Sequence, residues 1–569
     1  MSGPAFVSVC LVESGPLHLD RTFVYAVPDG ASLEVGSVVR VPFRSRPRTG
    51  VVVDLPRESG VADPKPVTRT VGPSIGAEGV ALARWLAGRT CSTLGEALAA
   101  VLPPRVASEE DAPQPAPALE TPPPDLRWLD AMAGGPALRA GLRGGGGMFL
   151  LSDDTADARP GWIVSMVAAT VRAGRGVLVL LPEVTVAGGV ARALDEAFGD
   201  ALARVGSDRP ARERYRDWLA LHEGRKRIGV GGRAASLAPV RDLGLIVVDD
   251  ESHPSYKEGR APRFHARAVC AHRAERADAA LVLVGEPGSV EAAVTVRANG
   301  TVVRRPRASV RADRPPVVIV ERSPSERLVP APRSLRLVKG ALAGGGRVIV
   351  LSHRDVEPVA ERTIRIASPR NPAVLRAGDG RAKLARAVGD ADLIVATPFI
   401  AKDLRPEGVT LLALVDVDSA LAQPEFRAPE DAFATWWRAG RWVHGGTVVA
   451  ETADPEHPAL RALVRWDPGV LWRSESERRR HAGYPPFTAL ARIDVKAGAD
   501  RIAAEVAAAG LEVAGPATAR DGWVVLARAK KRTALLDALA PLVSGWRAQG
   551  EDVRVDVDPW EVLVPKWRS

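Results

Sequence analysis

Cysteine is scarce in this sequence. Its 569 residues contain three cysteines, Cys10, Cys91 and Cys270, and no two of them form a CxxC pair. This scarcity argues against a disulfide scaffold and against a local zinc ribbon or knuckle. The sequence also lacks a run of about 18 apolar residues, and it does not begin with a basic segment followed by an apolar core. We therefore expect a soluble protein, located in the cytoplasm, with no membrane partner.

Lysine is scarce as well, because only 10 of the 77 basic residues are lysine and 67 are arginine. The basic residues exceed the 68 acidic residues by 9. Such an excess favours a polyanionic partner such as nucleic acid. A high content of Arg, Ala, Gly and Pro also follows from GC-rich codons, so position along the chain must decide which arginines are functional.

The length of the chain predicts three or four domains, because 60.3 kDa exceeds one ordinary hydrophobic core. Short runs that alternate apolar and polar residues between about 5 and 70 predict a small β-barrel or sandwich. An amphipathic helical pattern follows from about 76 to 102. Residues 107–126 are rich in proline and acidic residues, which predicts a semi-rigid, disordered linker.

Buried strands alternating with helices are the pattern from about 127 to 467, as in GVLVLLP and LGLIVVDD. Continuous apolar runs of this length are typical of parallel sheets that are covered on both faces. Two such sheets are expected, with a seam near 305–330 where RRPRASVRADRPP interrupts the pattern. The last region returns to α+β character. The predicted domains of this α/β multidomain chain are 1–106, the linker 107–126, 127–315, 316–467 and 468–569.

The string LGLIVVDDESH, at 243–253, carries the most chemical information. Nucleotide hydrolases use acids at the carboxyl end of a hydrophobic strand to hold Mg²⁺ and to activate water. Taken alone, such a string is more often a strand that ends in a solvated acidic loop. The next segment, SYKEGRAPRFHAR at 255–267, favours the functional interpretation.

From 243 to 267 the chain resembles the PriA family of replication-restart helicases. LHLDRTFVYAVP at 17–28 is similar to the family's N-terminal domain that binds DNA 3′ ends, and ERRRHAGYPPFTALARI at 477–493 is similar to the opening of its C-terminal domain. These strings keep the family's order over nearly the whole chain. The resemblance implies a small β-barrel-like DNA-binding domain, two RecA-like lobes and a C-terminal α+β domain. It also implies ATP, Mg²⁺ and zinc as cofactors.

The phosphate-binding loop departs from the family pattern. MFLLSDDTADARP aligns with it without a gap, which puts Asp153, Ala156 and Ala158 at the glycines. The same alignment puts Arg159 at the lysine and Pro160 at the hydroxyl that binds Mg²⁺. Alanine and aspartate resist the backbone geometry that cradles phosphate, and carboxylates repel a triphosphate. We therefore expect that this loop does not bind ATP.

Other motifs for nucleotide and metal binding also depart from the family pattern. Asp250 stands where the family has its catalytic glutamate, and Gly285-Glu286-Pro287 is all that remains of the coupling motif. The second lobe lacks the family's zinc-ligand cysteines. We therefore expect no ATP, Mg²⁺ or zinc cofactor and no enzymatic activity. The residues of the vestigial nucleotide site are Asp153, Arg159, Asp249, Asp250, Glu251, Lys402, Arg438 and Arg441.

Clusters of basic residues are the candidates for DNA contact. RVPFRSRPRTG at 40–50 gathers arginines around Phe43, which offers charge for phosphate and a ring for stacking; a solvated arginine loop is the alternative. The resemblance places the family's 3′-end pocket at Phe23 and Tyr25, with Lys65 as its cation, but Val24 replaces an aspartate that helps read the terminal nucleotide. The predicted DNA-binding residues are Phe23, Tyr25, Arg40, Phe43, Arg44, Arg46, Arg48, Lys65, Arg478, Arg479, Arg480, Lys530 and Lys531.

Three functions are compatible with these observations. The leading hypothesis is a monomeric, nucleoid-associated replication-restart protein that binds forked or single-stranded DNA without helicase activity. The family suggests single-stranded-DNA-binding protein and the primosome machinery that loads the replicative helicase as its partners. The first alternative is an active ATP-dependent 3′→5′ DNA helicase that uses Arg159 and Asp249 in unorthodox roles. The second is a protein-interaction scaffold with little DNA binding.

Overall fold

Four β-sheets with packed helices build the chain. The computed structural model describes residues 5–12, 20–110, 116–152, 157–182, 189–323, 329–353, 355–403, 406–519 and 521–562. The predicted α/β fold class, with two parallel-sheet lobes between an N-terminal and a C-terminal antiparallel sheet, is confirmed.

The N-terminal sheet is antiparallel and has five strands. They are β1 (Phe6–Leu11), β2 (Phe23–Ala26), β3 (Val38–Phe43), β4 (Arg46–Asp54) and β5 (Arg69–Thr70), in the order β2-β1-β4-β3-β5. A bridge between Ala26 and Pro66 brings the two ends of the sheet together, as in a barrel. Helices α1 (Gly76–Thr90) and α2 (Leu94–Val101) follow. Thr93 and Glu96 cap the start of α2 reciprocally, which explains why this helix begins there.

The predicted linker at 107–126 is ordered where it begins. Glu109 is buried, and its carboxylate pairs with Arg212 and with Arg216, the latter at 2.7 Å. Both arginines lie on a helix of the first lobe, Ala211–His222. The expectation of a disordered linker is therefore wrong for this acidic start, because two guanidinium groups neutralise the carboxylate. Residues 116–126 contain no helix or strand.

The first lobe contains a seven-stranded parallel sheet in the order β12-β6-β11-β10-β7-β9-β8. Its strands are β6 (Gly147–Ser152), β7 (Gly176–Leu180), β8 (Leu202–Arg204), β9 (Ile228–Gly231), β10 (Leu243–Val248), β11 (Ala280–Gly285) and β12 (Thr301–Arg304). Its helices are α3 (Gly135–Ala140), α4 (Arg159–Arg172), α5 (Gly189–Phe198), α6 (Ala211–His222), α7 (Ala266–Ala277) and α8 (Val290–Asn299). Apolar cores on both faces of the sheet explain why the strands read as continuous hydrophobic runs.

The second lobe contains a six-stranded parallel sheet in the order β13-β18-β17-β14-β16-β15. Helix α9 (Arg307–Asp313) precedes it. Its strands are β13 (Val317–Glu321), β14 (Arg347–Ser352), β15 (Pro372–Leu375), β16 (Leu393–Ala396), β17 (Val409–Val415) and β18 (Val443–Thr452). Its helices are α10 (Pro332–Ala343), α11 (Val356–Ala367), α12 (Arg381–Asp390), α13 (Ile400–Asp403), α14 (Val417–Leu421), α15 (Ala428–Gly440) and α16 (Pro458–Arg465).

The C-terminal region begins with the long helix α17 (Pro468–Ala482). Its antiparallel sheet contains β19 (Ala489–Val495), β20 (Glu512–Ala519), β21 (Gly522–Ala529) and β22 (Val553–Val557), in the order β20-β21-β19-β22. Helices α18 (Ala499–Ala508) and α19 (Arg532–Ala548) pack against this sheet through residues such as Ile502, Leu535 and Trp546. Among the described helices, none has both the length and the apolar character needed to cross a membrane.

Candidate nucleotide cleft and nucleic-acid interface

The two lobes meet across a cleft at the carboxyl ends of the β-strands of the first lobe. Arg159 begins α4, Asp249 and Asp250 follow β10, and Glu286 follows β11. The second lobe contributes Arg438 and Arg441 from the end of α15. Parallel strands bring their carboxyl ends to one edge of a sheet, so residues far apart in sequence meet here.

Arg159 pairs with carboxylates of its own lobe. Its Nη1 lies 3.2 Å from Asp249 Oδ1, and its Nη2 lies 2.7 Å from Glu286 Oε2. The exposed fractions of the three side chains are 11%, 9% and 5%. The cation at the predicted lysine position therefore binds the protein's own carboxylates, in a site largely shielded from water.

Two further ion pairs join the lobes across the cleft. Arg438 Nη2 lies 2.9 Å from Asp250 Oδ1, and Arg441 Nη2 lies 2.7 Å from Glu286 Oε1. Glu286 thus lies between a cation of each lobe. We call these six residues, Arg159, Asp249, Asp250, Glu286, Arg438 and Arg441, the cleft network. Sequence analysis predicted all of them as site residues except Glu286, although Glu286 lies in the Gly-Glu-Pro remnant.

Glu251 has a structural role outside the cleft network. It is fully buried, it accepts hydrogen bonds from Ser289 N at 2.6 Å and Ser289 Oγ at 3.1 Å, and it pairs with Arg267. Ser289 is the N-cap of α8, so Glu251 holds the start of that helix. Local hydrogen bonds occupy both carboxylate oxygens of Glu251, and its predicted place in the vestigial nucleotide site stays a prediction.

Two predicted site residues fall outside this description. Asp153 lies outside the described residues, and so does the side chain of Lys402, whose backbone is part of α13.

The start of α4 and the acids that follow β10 are the described residues that a nucleotide and Mg²⁺ would meet in this cleft. The first turn of α4 offers Arg159 and Pro160, which supply neither a lysine nor a hydroxyl, and proline has no N–H for phosphate. The carboxylates that would hold a metal ion, Asp249 and Asp250, bind arginines instead. The part of the chain that the structure describes contains no group of three or more His, Cys, Asp or Glu side chains suited to a metal ion.

A second set of charges joins α8 of the first lobe to α15 and α17. Arg479 is fully buried, with its guanidinium 2.5 Å from Glu430, 3.3 Å from Glu291 and 3.5 Å from Glu475. Arg427 pairs with Glu291 at 2.7 Å. Burial opposes ionisation of Glu291, but Arg427 and Arg479 outweigh it and lower the pKa of that carboxyl. The predicted DNA contact of Arg479 is wrong, because three carboxylates surround it in the interior.

An aromatic and basic patch lies at the tip of the β3–β4 hairpin. The rings of Phe23 and Phe43 pack edge to face with centroids 5.0 Å apart. The Arg44 guanidinium lies 5.7 Å from the Phe43 ring, and that of Arg21 lies 4.9 Å from the Phe23 ring. Sequence reasoning missed Arg21, although it lies two residues before Phe23. We call this set, with the exposed Arg46, the hairpin patch.

The other predicted residues of this domain differ in exposure. Tyr25 is only 5% exposed, and its hydroxyl donates to the carbonyl of Pro42 at 3.1 Å, so the predicted DNA contact of its ring is wrong. Arg40 is half-buried and donates to Thr49 Oγ1 at 2.8 Å. Arg48 is half-buried, and Lys65 is exposed beside β2, where its carbonyl accepts from the amide of residue 26.

The C-terminal candidates lie on the surface, apart from Arg479. Arg478 pairs with Glu475 at 2.7 Å and donates to a backbone carbonyl at 2.6 Å, so part of its guanidinium already has partners within the protein. Arg480 is exposed, with its guanidinium 4.4 Å from the ring of Phe487. Lys530 and Lys531 are exposed in the turn between β21 and α19.

Two parallel-sheet lobes that meet across such a cleft, with a separate domain at each end, define a helicase-like protein. Family comparison adds two matches. Residues 12–103 match the model of the PriA 3′DNA-binding domain, and residues 480–560 match that of the primosomal protein N C-terminal domain. Both ends of the chain are therefore similar to PriA replication restart proteins.

Curated relatives extend over most of the chain. The probable replication restart protein PriA of Mycobacterium tuberculosis is 29% identical, over 84% of this chain and 85% of that protein. The replication restart protein PriA of Treponema pallidum is 25% identical, over 96% of this chain and 98% of that protein. Among solved structures, the DUF1998 helicase MrfA bound to DNA is similar with a TM-score of 0.38 and 12% identity, over 64% of this chain and 55% of that one.

Proposed function

We propose that this chain binds forked or single-stranded DNA during replication restart and recruits replisome-loading partners, without hydrolysing ATP and without unwinding DNA. The observation that carries this proposal is the cleft network, in which arginines bind the carboxylates that an ATPase would use for metal and water. The 3′DNA-binding domain supports the DNA-binding part of the proposal.

Hydrolysis of ATP needs a phosphate cradle, a metal ion and an oriented water molecule together. Here the cation that would meet a phosphate, Arg159, already pairs with Asp249 and Glu286. A triphosphate would have to break these pairs and would then face carboxylates at close range, a strongly repulsive arrangement where water is scarce. Binding of a nucleotide is therefore disfavoured for two reasons: it would break the ion pairs of Arg159, and its phosphates would be repelled by the carboxylates that those pairs now neutralise.

We expect the hairpin patch and the exposed cations of the C-terminal domain to contact DNA. The rings of Phe23 and Phe43 offer a stacking surface beside Arg21 and Arg44, and such a combination suits an unpaired strand end. Val24 offers no polar group to a 3′-hydroxyl. We therefore expect recognition through phosphates and stacked bases, with little preference for a free 3′-hydroxyl.

Binding of a labelled DNA fork in the absence of nucleotide tests this function. We expect replacement of Arg44, Arg46 and Arg48 by alanine to weaken binding by about tenfold or more. The salt slope of the binding constant should fall by about two to three units, because each lost phosphate contact removes about one. The matched control replaces Arg192, Arg209 and Arg365, which are exposed and pair with a glutamate one turn away.

Two outcomes would favour the rival functions. ATP-dependent unwinding of the fork that disappears in the Asp249→Ala variant would establish an active helicase. A wild-type protein that binds neither forked, single-stranded nor duplex DNA would establish a protein scaffold instead. Recruitment of single-stranded-DNA-binding protein and of the helicase-loading proteins is then tested on the fork complex by co-sedimentation.

A further inference from the structure

Four arginines converge at the seam where the first lobe, the second lobe and α17 meet. Arg297 comes from α8, Arg304 ends β12, Arg307 begins α9 and Arg473 lies in the first turns of α17. Asp467, the N-cap of α17, pairs with Arg304 and Arg307. We call the four arginines the seam cluster. The two domains that match family models, at the two ends of the chain, do not include it.

The seam cluster has more positive charge than its carboxylate neutralises. Asp467 lies 3.4 Å from Arg304 Nη1 and 3.0 Å from Arg307 Nε, so it serves two of the four arginines. Within the described residues, Arg297 and Arg473 form no ion pair. Burial, together with the neighbouring Arg304 and Arg473, lowers the pKa of Arg297. The four guanidinium groups therefore repel one another, and an added anion would relieve that repulsion.

Guanidinium groups of the seam cluster lie close to one another at the start of α17. A methyl group placed on Gly469 would lie 3.5 Å from both Arg307 Nη2 and Arg473 Nη1. These two nitrogens therefore lie near each other at the start of α17. The Arg297 guanidinium lies 5.3 Å from the ring of Trp472, which holds it against the same helix. Arg297, Arg307 and Arg473 are exposed, so an external anion can reach them.

We infer that the seam cluster binds the phosphodiester backbone of a duplex arm of the DNA fork. Guanidinium groups match phosphate oxygens in geometry and charge, and several together suit successive phosphates. Among the described residues, the only aromatic ring in contact with these arginines is that of Trp472, which is 1% exposed and unable to stack on a base. The hairpin patch differs, because it presents two rings. A backbone contact without stacking fits duplex DNA better than an unpaired strand.

This inference rests on the proposed DNA-binding function and adds a second point of contact to it. Arg297 and Arg304 belong to the first lobe, whereas Arg307 and Arg473 follow it in the chain and lie across the seam. A duplex held here would engage the body of the protein while the hairpin patch holds a strand end. The two contacts then recognise different parts of one fork.

The test compares the full-length wild type with the variant R297Q/R473Q, in which the two arginines without an ion pair are removed. Fluorescence anisotropy measures binding of a blunt duplex, a fork and a single strand at several salt concentrations. We expect the variant to bind the duplex about tenfold more weakly, with a salt slope lower by about one to two units. Binding of the single strand should stay within about twofold of the wild type. The control R192Q/R365Q removes the same charge from exposed positions elsewhere and should bind duplex like the wild type.

Each other outcome overturns the inference in a distinguishable way. If R297Q/R473Q binds duplex like the wild type, or loses no more affinity than R192Q/R365Q, the seam cluster does not contact DNA and the proposed function still stands. If the wild type binds neither fork nor duplex, the proposed function fails together with the inference. If inorganic phosphate binds the wild type but not R297Q/R473Q, while the two proteins bind duplex equally, the cluster is a site for free phosphate rather than for a DNA backbone.

Discussion

At the residue scale, Arg159 is held by two carboxylates of its own lobe. A lysine at this position would present a mobile point charge to phosphate, whereas the Arg159 guanidinium binds two carboxylates at once. Both carboxylates are largely buried, so each depends on a nearby cation. Arg159 thus stabilises the folded cleft.

Replacing Arg159 by alanine tests that stabilising role. The change removes a cation from two buried carboxylates, and we expect the free energy of unfolding to fall by about 3 kcal/mol. Chemical denaturation measures the loss. Arg192→Ala is the control, because Arg192 is 78% exposed and its removal should change stability by less than about 0.5 kcal/mol. A loss for Arg159→Ala no greater than that of the control would contradict the structural role of the network.

The basic run from Arg478 to Arg480 shows what sequence can and cannot predict about a site. Sequence reasoning grouped the three arginines because they are adjacent, but a helix turns each to a different face. Arg479 lies on the stripe of buried residues that includes Trp472 and Glu475, three to four residues apart. That spacing was visible in the sequence. The partners Glu291 and Glu430 were not, because they come from other elements of the fold.

At the scale of elements, α15 is tied to β14 through a histidine. Trp436 Nε1 donates a hydrogen bond to His353 Nε2 at 2.9 Å, which requires that nitrogen to be unprotonated. Burial lowers the pKa of His353 to about 4. Below about pH 6.5 this histidine is protonated in the unfolded chain but stays neutral in the folded chain. The neutral form therefore contributes stability above pH 6.5, and that contribution is lost as the pH falls toward 4.

A pH series on wild type and His353→Gln measures this contribution. Glutamine keeps an acceptor for the indole N–H but has no proton to gain in this range. Between pH 7.5 and pH 5 we expect the wild type to lose about 2 kcal/mol more of its unfolding free energy than the variant. Parallel pH profiles for the two proteins would show that His353 does not titrate in this way.

The strands divide into those that the sequence predicted and those that it did not. Long apolar runs such as β7 and β10 were predicted because burial on both faces leaves a continuous signal. The short strands β8, β12 and β15 lie near or at sheet edges and offer too few residues for a pattern. Strand β18 is central, but Gly445 and Gly446 interrupt its hydrophobic start. Tertiary pairing with β13 and β17 completes it.

At the scale of the whole molecule, charge pairs join the two lobes across the cleft. Asp250 and Glu286 of the first lobe pair with Arg438 and Arg441 of the second. A second link runs from Glu291 to Arg427. We therefore propose that the lobes keep one arrangement with or without ATP, and that the chain uses them as a scaffold for DNA and partners.

The affinity for ATP, measured together with its hydrolysis on fork DNA, tests this proposal most directly. We expect no saturable binding of a fluorescent ATP analogue with Mg²⁺, and phosphate release no faster than that of the Asp249→Ala variant, with or without the fork. The contrary result would be saturable, DNA-stimulated hydrolysis that the Asp249→Ala change abolishes.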